Sequence, residues 1–263
     1  MSTVSFAIQD SATMLRRNLR HMQRYPSLTL MLVGQPIVFM LLFVYVFGGT
    51  MGAGIAGVAA GRSEYLAYIT PGILAMTVAS VALGTAISVA MDMTEGIMAR
   101  FRTMHIARVS VLTGHVVGAM IQTVLAVVVV VGVAILLGFR PTAGPLDWLT
   151  VVAVLAIFAF ALTWLTVALG LASGSVETAS NTPMFLMLLP FFGSGFVPTE
   201  SMPTGLRWFA DYQPFTPVIE TVRGLLTGAP VGDHVVLAIG WSVVIALVSY
   251  LWAKRLFNRD PTA

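Results

Sequence analysis

The chain has no cysteine, a single lysine at Lys254, and charged residues at only 10% of its 263 positions. Without cysteine, disulfide bonds, thiol catalysis and thiolate metal sites are excluded. A P-loop ATP site is excluded too, because it needs the pattern GxxxxGK[ST] and Lys254 lacks the preceding glycines. The HExxH and GxSxG patterns are also missing. We therefore expect no catalytic residues, no metal and no bound cofactor, and the chain is not expected to be an enzyme on its own.

Apolar residues make up 57% of the chain and form six stretches that contain no Asp, Glu, Lys or Arg. About 20 apolar residues cross a hydrocarbon core of roughly 30 Å. The pattern therefore predicts an all-α integral membrane protein with six transmembrane helices, forming a single membrane domain over residues 1–263. The predicted spans are 28–47, 66–91, 113–138, 149–172, 184–197 and 235–252.

The fifth stretch, 184–197, is the shortest and contains Pro190, Gly193 and Gly195, which favour a broken or re-entrant segment. It leads into residues 198–234, which are rich in Pro, Gly and aromatics. Trp208 and Tyr212 in that region favour the membrane interface. We expect 198–234 to be a re-entrant external segment before the last span.

The distribution of Lys and Arg predicts the orientation. With the N-terminus in the cytoplasm, ten of the fourteen lie inside and four outside, and such a bias is typical of cytoplasmic loops. Both termini are then cytoplasmic, in the cytoplasmic (inner) membrane. The basic residues are interpreted as membrane anchors, and nucleic acid is not expected as a partner. The four outside are Arg62, Arg140, Arg207 and Arg223.

Residues 1–27 predict an amphipathic helix on the cytoplasmic face of the membrane, because apolar residues recur at spacings of four and three while arginines fill much of the remaining circumference. A solvated basic tail is the alternative. The apolar positions are Ile8, Ala12, Leu15, Leu19 and Met22.

The segment 92–112 is predicted to be a polar cytoplasmic loop between the second and third spans. Its apolar residues Met93, Ile97, Phe101 and Met104 fall on one face of a short helix. An apolar face without cover of its own favours docking, either to a partner or to the membrane surface.

The spans lack the ionisable groups that proton- or ion-coupled transporters place at membrane depth. Only His115 approaches such a position, and it is interpreted as an interfacial group at a helix end. If ATP drives this protein, another polypeptide must bind the ATP. An ion-gradient-driven efflux transporter and a non-transporting membrane scaffold stay as alternatives.

Three segments resemble a known family. They are MDMTEGIMARFRTMHIARVSVLTGH at 91–115, SGFVPTESMPTGLRWFADYQPFTPV at 194–218 and VRGLLTG at 222–228. Together with the span pattern over the whole chain, they resemble the ABC-2 type permeases. They look like the daunorubicin-resistance branch of that family, whose members are membrane subunits of drug and lipid exporters.

The resemblance implies two ABC ATPase subunits that hold ATP and Mg, a second permease copy or homologue, and a lipophilic or amphipathic substrate in the lipid bilayer. The loop after the second span would form a coupling helix with Phe101 as an apolar anchor. Anchoring of this loop at lipid headgroups is the alternative. The residues implied to contact the ATPase are Glu95, Gly96, Arg100, Phe101, Arg102 and Met104.

A lipophilic cargo favours a path lined by aromatic rings, which also stack on cations. Transmembrane phenylalanines that simply face lipid are the alternative. The aromatic residues proposed for the path are Phe39, Phe43, Tyr65, Tyr68, Phe185, Phe191, Phe192 and Phe196.

Overall fold

The structure, a computed structural model, describes residues 26–51, 61–95 and 108–257. Within those ranges it consists of helices and turns without a strand, which confirms the all-α prediction. The first helix continues through a π-helical turn at Phe43–Phe47 to Met51. The helices are α1 Pro26–Leu42, α2 Arg62–Thr94, α3 Arg108–Leu136, α4 Pro145–Ala172, α5 Val176–Asn181, α6 Phe185–Leu188, α7 Thr204–Tyr212, α8 Phe215–Thr227 and α9 His234–Phe257.

Five helices in the described part of the chain are long and apolar enough to cross a membrane, which identifies a multi-pass membrane protein. They coincide with five of the six predicted spans, and the predicted span at 184–197 is not among them. The five are Leu30–Met51, Arg62–Thr94, Leu112–Leu136, Pro145–Ala172 and His234–Phe257.

The bundle has two ends, named here the Arg62 end and the Thr94 end after the limits of α2. At the Thr94 end, an apolar cluster joins the end of α2, the start of α3, and the ends of α4 and α9. A larger apolar cluster fills the rest of the bundle as far as the Arg62 end. The C-terminal ends of α4 and α9 therefore both lie at the Thr94 end of the bundle.

α2 is the central helix, with most of its side chains buried against α1, α3, α4, α5 and α8. Its small residues allow close approach of neighbouring helices. The Oγ of Ser80 donates a hydrogen bond of 2.8 Å to the carbonyl of Leu32 in α1. On the α4 side, a Cβ added at Gly170 would lie 2.7 Å from the carbonyl oxygen of Ala86. By contrast, α3 and α9 leave much of their apolar surface exposed, as expected for helices that face lipid.

Residues 176–197, called here the broken segment, do not form a continuous helix. The chain passes through α5, a 3-10 turn at Thr182–Met184, α6 and then a series of turns. Pro183 opens the 3-10 turn, and Pro190 follows α6, where neither residue can supply a backbone donor. The structure therefore has short helical pieces where a single span was predicted at 184–197.

The broken segment lies against α2 at a point where both backbones carry glycine. A Cβ added at Gly72 would lie 2.5 Å from the carbonyl oxygen of Gly195. Gly72 lies about 15 Å along α2 from Arg62, given a rise of about 1.5 Å per residue. Glycine at position 72 is thus a steric requirement for packing the segment against the middle of the bundle.

α2 extends to Thr94 and α3 begins at Arg108, so both ends of the predicted loop 92–112 are helical. The region between them at 96–107 lies outside the described residues. So does the amphipathic helix predicted for 1–27, apart from Pro26 and Ser27 at the start of α1.

Replacing Gly72 with alanine should lower the thermal stability of the detergent-solubilised protein. The new methyl group meets backbone, which cannot rotate away, and overpacking of this kind costs about 1–3 kcal/mol. Gly132→Ala in α3 is the matched control, because a Cβ there meets nothing within 4 Å. Thermal unfolding followed by tryptophan fluorescence measures both. Equal midpoints for the two variants would contradict the close contact at Gly72.

Candidate functional site

Four of the aromatic residues predicted for the path form one group between α1 and the broken segment, called here the aromatic cluster: Phe39, Phe43, Phe191 and Phe196. The rings of Phe191 and Phe196 stack, with centroids 4.4 Å apart and planes inclined by 7°. Phe43 lies 4.6 Å from Phe196, and Phe39 meets Phe191 edge-on at 5.6 Å. Positions 39 and 43 share one face of α1 because they are four residues apart. The cluster joins α1 to the broken segment through ring contacts.

Phe43 also opens the π-helical turn Phe43–Phe47. Such turns are rare and frequently occur at functional sites. The turn carries Tyr45, whose ring lies 4.9 Å from the guanidinium of Arg62. No signal in the sequence predicted this local widening of the helix.

The other four predicted path residues divide into two pairs. Tyr65 is fully buried, and its hydroxyl donates to the carbonyl of Phe196 at 3.5 Å. Tyr68 lies about one turn further along α2. Phe185 and Phe192 are 49% and 46% exposed, so they point away from the aromatic cluster. The structure thus brings Tyr65 to the cluster, places Tyr68 near it, and separates Phe185 and Phe192 from it.

A second group, called here the Arg223 cluster, consists of Arg223, Glu220, Tyr68 and Ser194. The guanidinium of Arg223 pairs with the Glu220 carboxylate and lies 3.8 Å from the centroid of the Tyr68 ring. It also donates to the carbonyl of Tyr68 at 3.2 Å and to that of Ser194 at 2.5 Å. The Arg223 side chain is only 11% exposed. One cation therefore ties α8 to α2 and to the broken segment.

This cluster was not predicted from the sequence, where Arg223 is only one of four positive charges on the external side. A signal was present in the i, i+3 spacing of Glu220 and Arg223 on a helix. Spacing alone does not reveal that the pair packs against residues far away in the sequence.

Polar side chains at the start of α8 satisfy the backbone of the broken segment. The side-chain amide of Gln213 donates to the carbonyl of Leu189 and to Thr216 Oγ1, both at 3.1 Å. Thr216 Oγ1 also accepts from the N–H of Ser194 at 3.4 Å. Irregular backbone at membrane depth needs such partners from protein. These contacts allow a non-helical segment to lie beside α2.

At the Thr94 end, Asp92 of α2 and His115 of α3 form a buried pair. The distance from His115 Nε2 to Asp92 Oδ2 is 3.0 Å, and the two residues are 5% and 6% exposed. The sequence predicted that Asp92 lies in a polar cytoplasmic loop and that His115 is an interfacial group at a helix end; the structure places Asp92 within α2 and buries both side chains. The pair joins the two helices that flank residues 96–107.

Comparison with known proteins decides the family. The pattern of the ABC-2 type transporter family matches residues 10–227. The chain belongs to this family. A daunorubicin resistance ABC transporter permease protein from Streptomyces coeruleorubidus is 30% identical over 223 residues, which cover 84% of this chain and 76% of that protein.

Proteins from two strains of Mycobacterium tuberculosis are also similar to this ABC-2 type permease. Each is named "Probable doxorubicin resistance ABC transporter permease protein" and is 27% identical over 176 residues, covering 64% of this chain and 64% of its own length. The family match spans the aromatic cluster, the Arg223 cluster and the region 96–107. Permeases of ABC transporters are membrane components and not enzymes themselves.

Of the residues implied to contact an ATPase, only Glu95 is described. Its N–H donates to the carbonyl of Met91 at 2.9 Å, and its side chain is exposed at the end of α2. Among the described residues there is no group of three or more His, Cys, Asp or Glu that could hold a metal ion. The other five implied contacts lie outside the described residues and stay predictions: Gly96, Arg100, Phe101, Arg102 and Met104.

Arg223→Ala should destabilise this permease by roughly 2–4 kcal/mol, because it leaves Glu220 unpaired in a largely buried place. It also removes the donor to two carbonyls. Arg223→Lys should recover only part of the lost stability. It keeps the positive charge beside Glu220, but a lysine ammonium cannot span both carbonyls as the guanidinium does. Chemical or thermal unfolding in detergent measures the change.

The matched control is Arg207→Ala. Arg207 lies 3.7 Å from Asp211 with both side chains more than 40% exposed, so its loss should cost no more than about 1 kcal/mol. Equal destabilisation by Arg207→Ala and Arg223→Ala would rule out a special role for the Arg223 cluster.

Proposed function

We propose that this chain is the membrane-spanning permease subunit of an ATP-binding-cassette exporter. Its cargo is a lipophilic or amphipathic compound, either a drug, an antibiotic or a lipid, moved across the cytoplasmic membrane. The observation that carries this proposal is the similarity to a daunorubicin resistance permease over 84% of the chain. Two further relatives named for doxorubicin resistance support a drug as the cargo.

The aromatic cluster supports a lipophilic cargo. Its rings lie between a helix with a π-helical turn, a feature that is frequent at functional sites, and a segment without regular helix. Phe39, Phe43 and Phe191 are only partly buried, so a cargo can reach their surfaces. Flat aromatic faces bind apolar rings and cations. Tyr65 and Phe196 form the buried wall behind them.

We propose that the broken segment also crosses the membrane, which adds a sixth crossing to the five long helices. In chain order it lies between α4 and α9. α4 ends at the Thr94 end, and the carbonyl of Tyr68, near the Arg62 end, accepts from Arg223 in α8. The chain must therefore pass between the two ends before α8. The contact of Gly195 with Gly72 and the hydrogen bond from Tyr65 to Phe196 support a path alongside α2. Residues 198–234 then form a re-entrant external cap at the Arg62 end.

Six crossings place both termini on one side of the membrane. The excess of Lys and Arg assigns that side to the cytoplasm, so the Thr94 end faces the cytoplasm and the Arg62 end faces outward. Two ABC ATPase subunits would bind at the Thr94 end and hold ATP and Mg. A second permease copy or homologue would complete the transporter in the cytoplasmic membrane.

The segment 96–107 is proposed to dock to the ATPase, with Phe101 in an apolar groove and Arg100 and Arg102 pairing carboxylates around it. Closure of the ATPases would move this segment, and α2 and α3 would follow together because Asp92 and His115 join them. ATP, rather than an ion gradient, would supply the difference in binding energy between the inward and outward states that drives transport.

The double variant Phe101→Ala/Arg102→Ala should weaken binding of the ATPase while leaving membrane insertion intact, because positions 101 and 102 lie outside the spans predicted from the sequence. Co-purification of the partner ATPase with the tagged permease measures this. Arg140→Ala is the control, since Arg140 is exposed at the opposite end of the bundle. Unchanged recovery of ATPase with the double variant would reject the assigned docking segment.

In inside-out vesicles that contain both subunits, efflux is measured as uptake of the compound into the vesicle. This uptake should need ATP and should survive collapse of the proton gradient by an uncoupler. Loss of efflux at constant ATP would favour the ion-gradient-driven alternative. Lack of ATP hydrolysis stimulated by lipophilic compounds, together with lack of efflux, would favour a membrane scaffold. Stimulated hydrolysis with uncoupler-resistant efflux supports the exporter.

A further inference from the structure

The Arg62 end contains a pocket of about 460 Å³ between α2, α7, α8 and the start of α9. This volume lies within the range of about 300–1,000 Å³ that is usual for small-molecule sites. Unlike the aromatic cluster, the pocket has charged walls. They include the carboxylates of Glu200, Asp211 and Glu220 and the guanidinium groups of Arg207 and Arg223.

The strongest donor in the pocket is already occupied. The Arg223 guanidinium donates to Glu220, to the carbonyl of Tyr68 and to the carbonyl of Ser194. It also covers one face of the Tyr68 ring at 3.8 Å. Arg223 therefore has little capacity left for an anionic ligand.

The pocket wall, by contrast, has more carboxylates to accept hydrogen bonds than guanidinium groups to donate them. Three carboxylates face two arginines, which gives the wall a formal charge of −1 while His234 is neutral. Glu200 forms no ion pair among the described residues, and the Asp211 pair with Arg207 is long, at 3.7 Å, and exposed. The balance of charge and of hydrogen-bond acceptors favours a ligand that is cationic and donates hydrogen bonds.

His234, which also lines the pocket, adds a further possible acceptor. Its Nδ1 atom is buried and has no hydrogen-bond partner within the described part of the chain. Buried polar atoms without partners are rare and need an explanation such as a bound water or ligand. In the neutral ring, an unprotonated Nδ1 accepts a hydrogen bond, as an ammonium ligand requires.

The position of α7 indicates what else the ligand carries. α7 lines the pocket with Arg207 and Asp211, while Trp208 and Tyr212 on the same helix are 68% and 62% exposed. Exposed Trp and Tyr are typical of the membrane interface. The pocket therefore lies where a molecule can hold its charged group in the protein and its apolar part in the bilayer.

We propose that this pocket binds the ammonium group of an amphipathic amine, with Glu200 as its principal counter-charge and His234 as a hydrogen-bond acceptor. The identification of that amine as cargo rests on the proposed function, whereas the binding itself does not. An ammonium group can come from a transported amine or from an aminophospholipid headgroup.

Binding is measured with the full chain in nanodiscs of phosphatidylglycerol, using the fluorescence of monodansylcadaverine, a lipophilic primary amine. Its N-acetyl derivative keeps the dansyl body and removes the charge. Glu200→Gln should weaken binding of the amine about two- to fivefold, the effect expected for one exposed ion pair, and leave binding of the acetyl derivative unchanged. Glu177→Gln is the control, since Glu177 is an exposed acidic residue on α5 outside the pocket.

Equal affinities of wild type and Glu200→Gln for the amine would overturn the proposal, as would equal loss of both probes. A second variant, His234→Phe, removes the acceptor and should also weaken only the amine. Thermal unfolding of each variant confirms that it is folded.

Nanodiscs that contain phosphatidylethanolamine distinguish the two sources of the ammonium group. If this lipid competes with the amine in the wild type and not in Glu200→Gln, the pocket binds a headgroup. If it does not compete, the pocket binds a soluble or transported amine. The ATP-driven efflux assay is independent of this measurement, so amine binding without efflux would count against the proposed function alone.

Discussion

The architecture depends on how the irregular backbone of the broken segment is satisfied beside α2. A bilayer offers no water to unpaired N–H and C=O groups, so non-helical backbone persists at membrane depth only when protein groups replace water. Gln213 and Thr216 supply such groups to Leu189 and Ser194, and Arg223 supplies another. The segment can then remain non-helical without a large energetic penalty. A non-helical segment, in turn, gives the bundle a site whose geometry is not fixed by a continuous helix.

α2 connects this site with the opposite end of the protein. Tyr68 contacts the Arg223 cluster, and Asp92 pairs with His115 about 36 Å away along the same helix, at a rise of about 1.5 Å per residue. Between them, buried small residues pack closely against the neighbouring helices, as at Gly72 and at Ala86. A densely packed helix has little free volume in which to absorb a displacement. We therefore expect a movement imposed near Asp92 to be transmitted along α2 toward Tyr68.

The parts of this fold that sequence reasoning predicted are those that depend on local composition. Runs of about 20 residues without charge identify five spans because the cost of burying charge in lipid acts on each helix separately. Phe39 and Phe43 are four residues apart, a spacing that places both on one face of a helix. The broken segment has no constant period, so nothing indicated that Phe196 is buried while Phe192 is half exposed. The Arg223 cluster and the Asp92 pair depend on contacts between distant parts of the chain, which spacing does not encode.

The Arg223 cluster and the pair of Asp92 and His115 bear on the argument that the spans lack charged residues. The sequence disfavoured ion coupling because the predicted spans lack acidic and basic residues, yet the structure buries Asp92 near one end of α2 and places the partly buried Glu220 of α8 near the other. The Arg223 guanidinium is held by Glu220 and by the carbonyls of Tyr68 and Ser194, so it ties α8 to α2 and to the broken segment. Asp92 and His115 lie near the other end of α2, where their contact joins α2 to α3. Both groups therefore suit a structural link between helices, in agreement with the lack of ionisable side chains in the aromatic cluster.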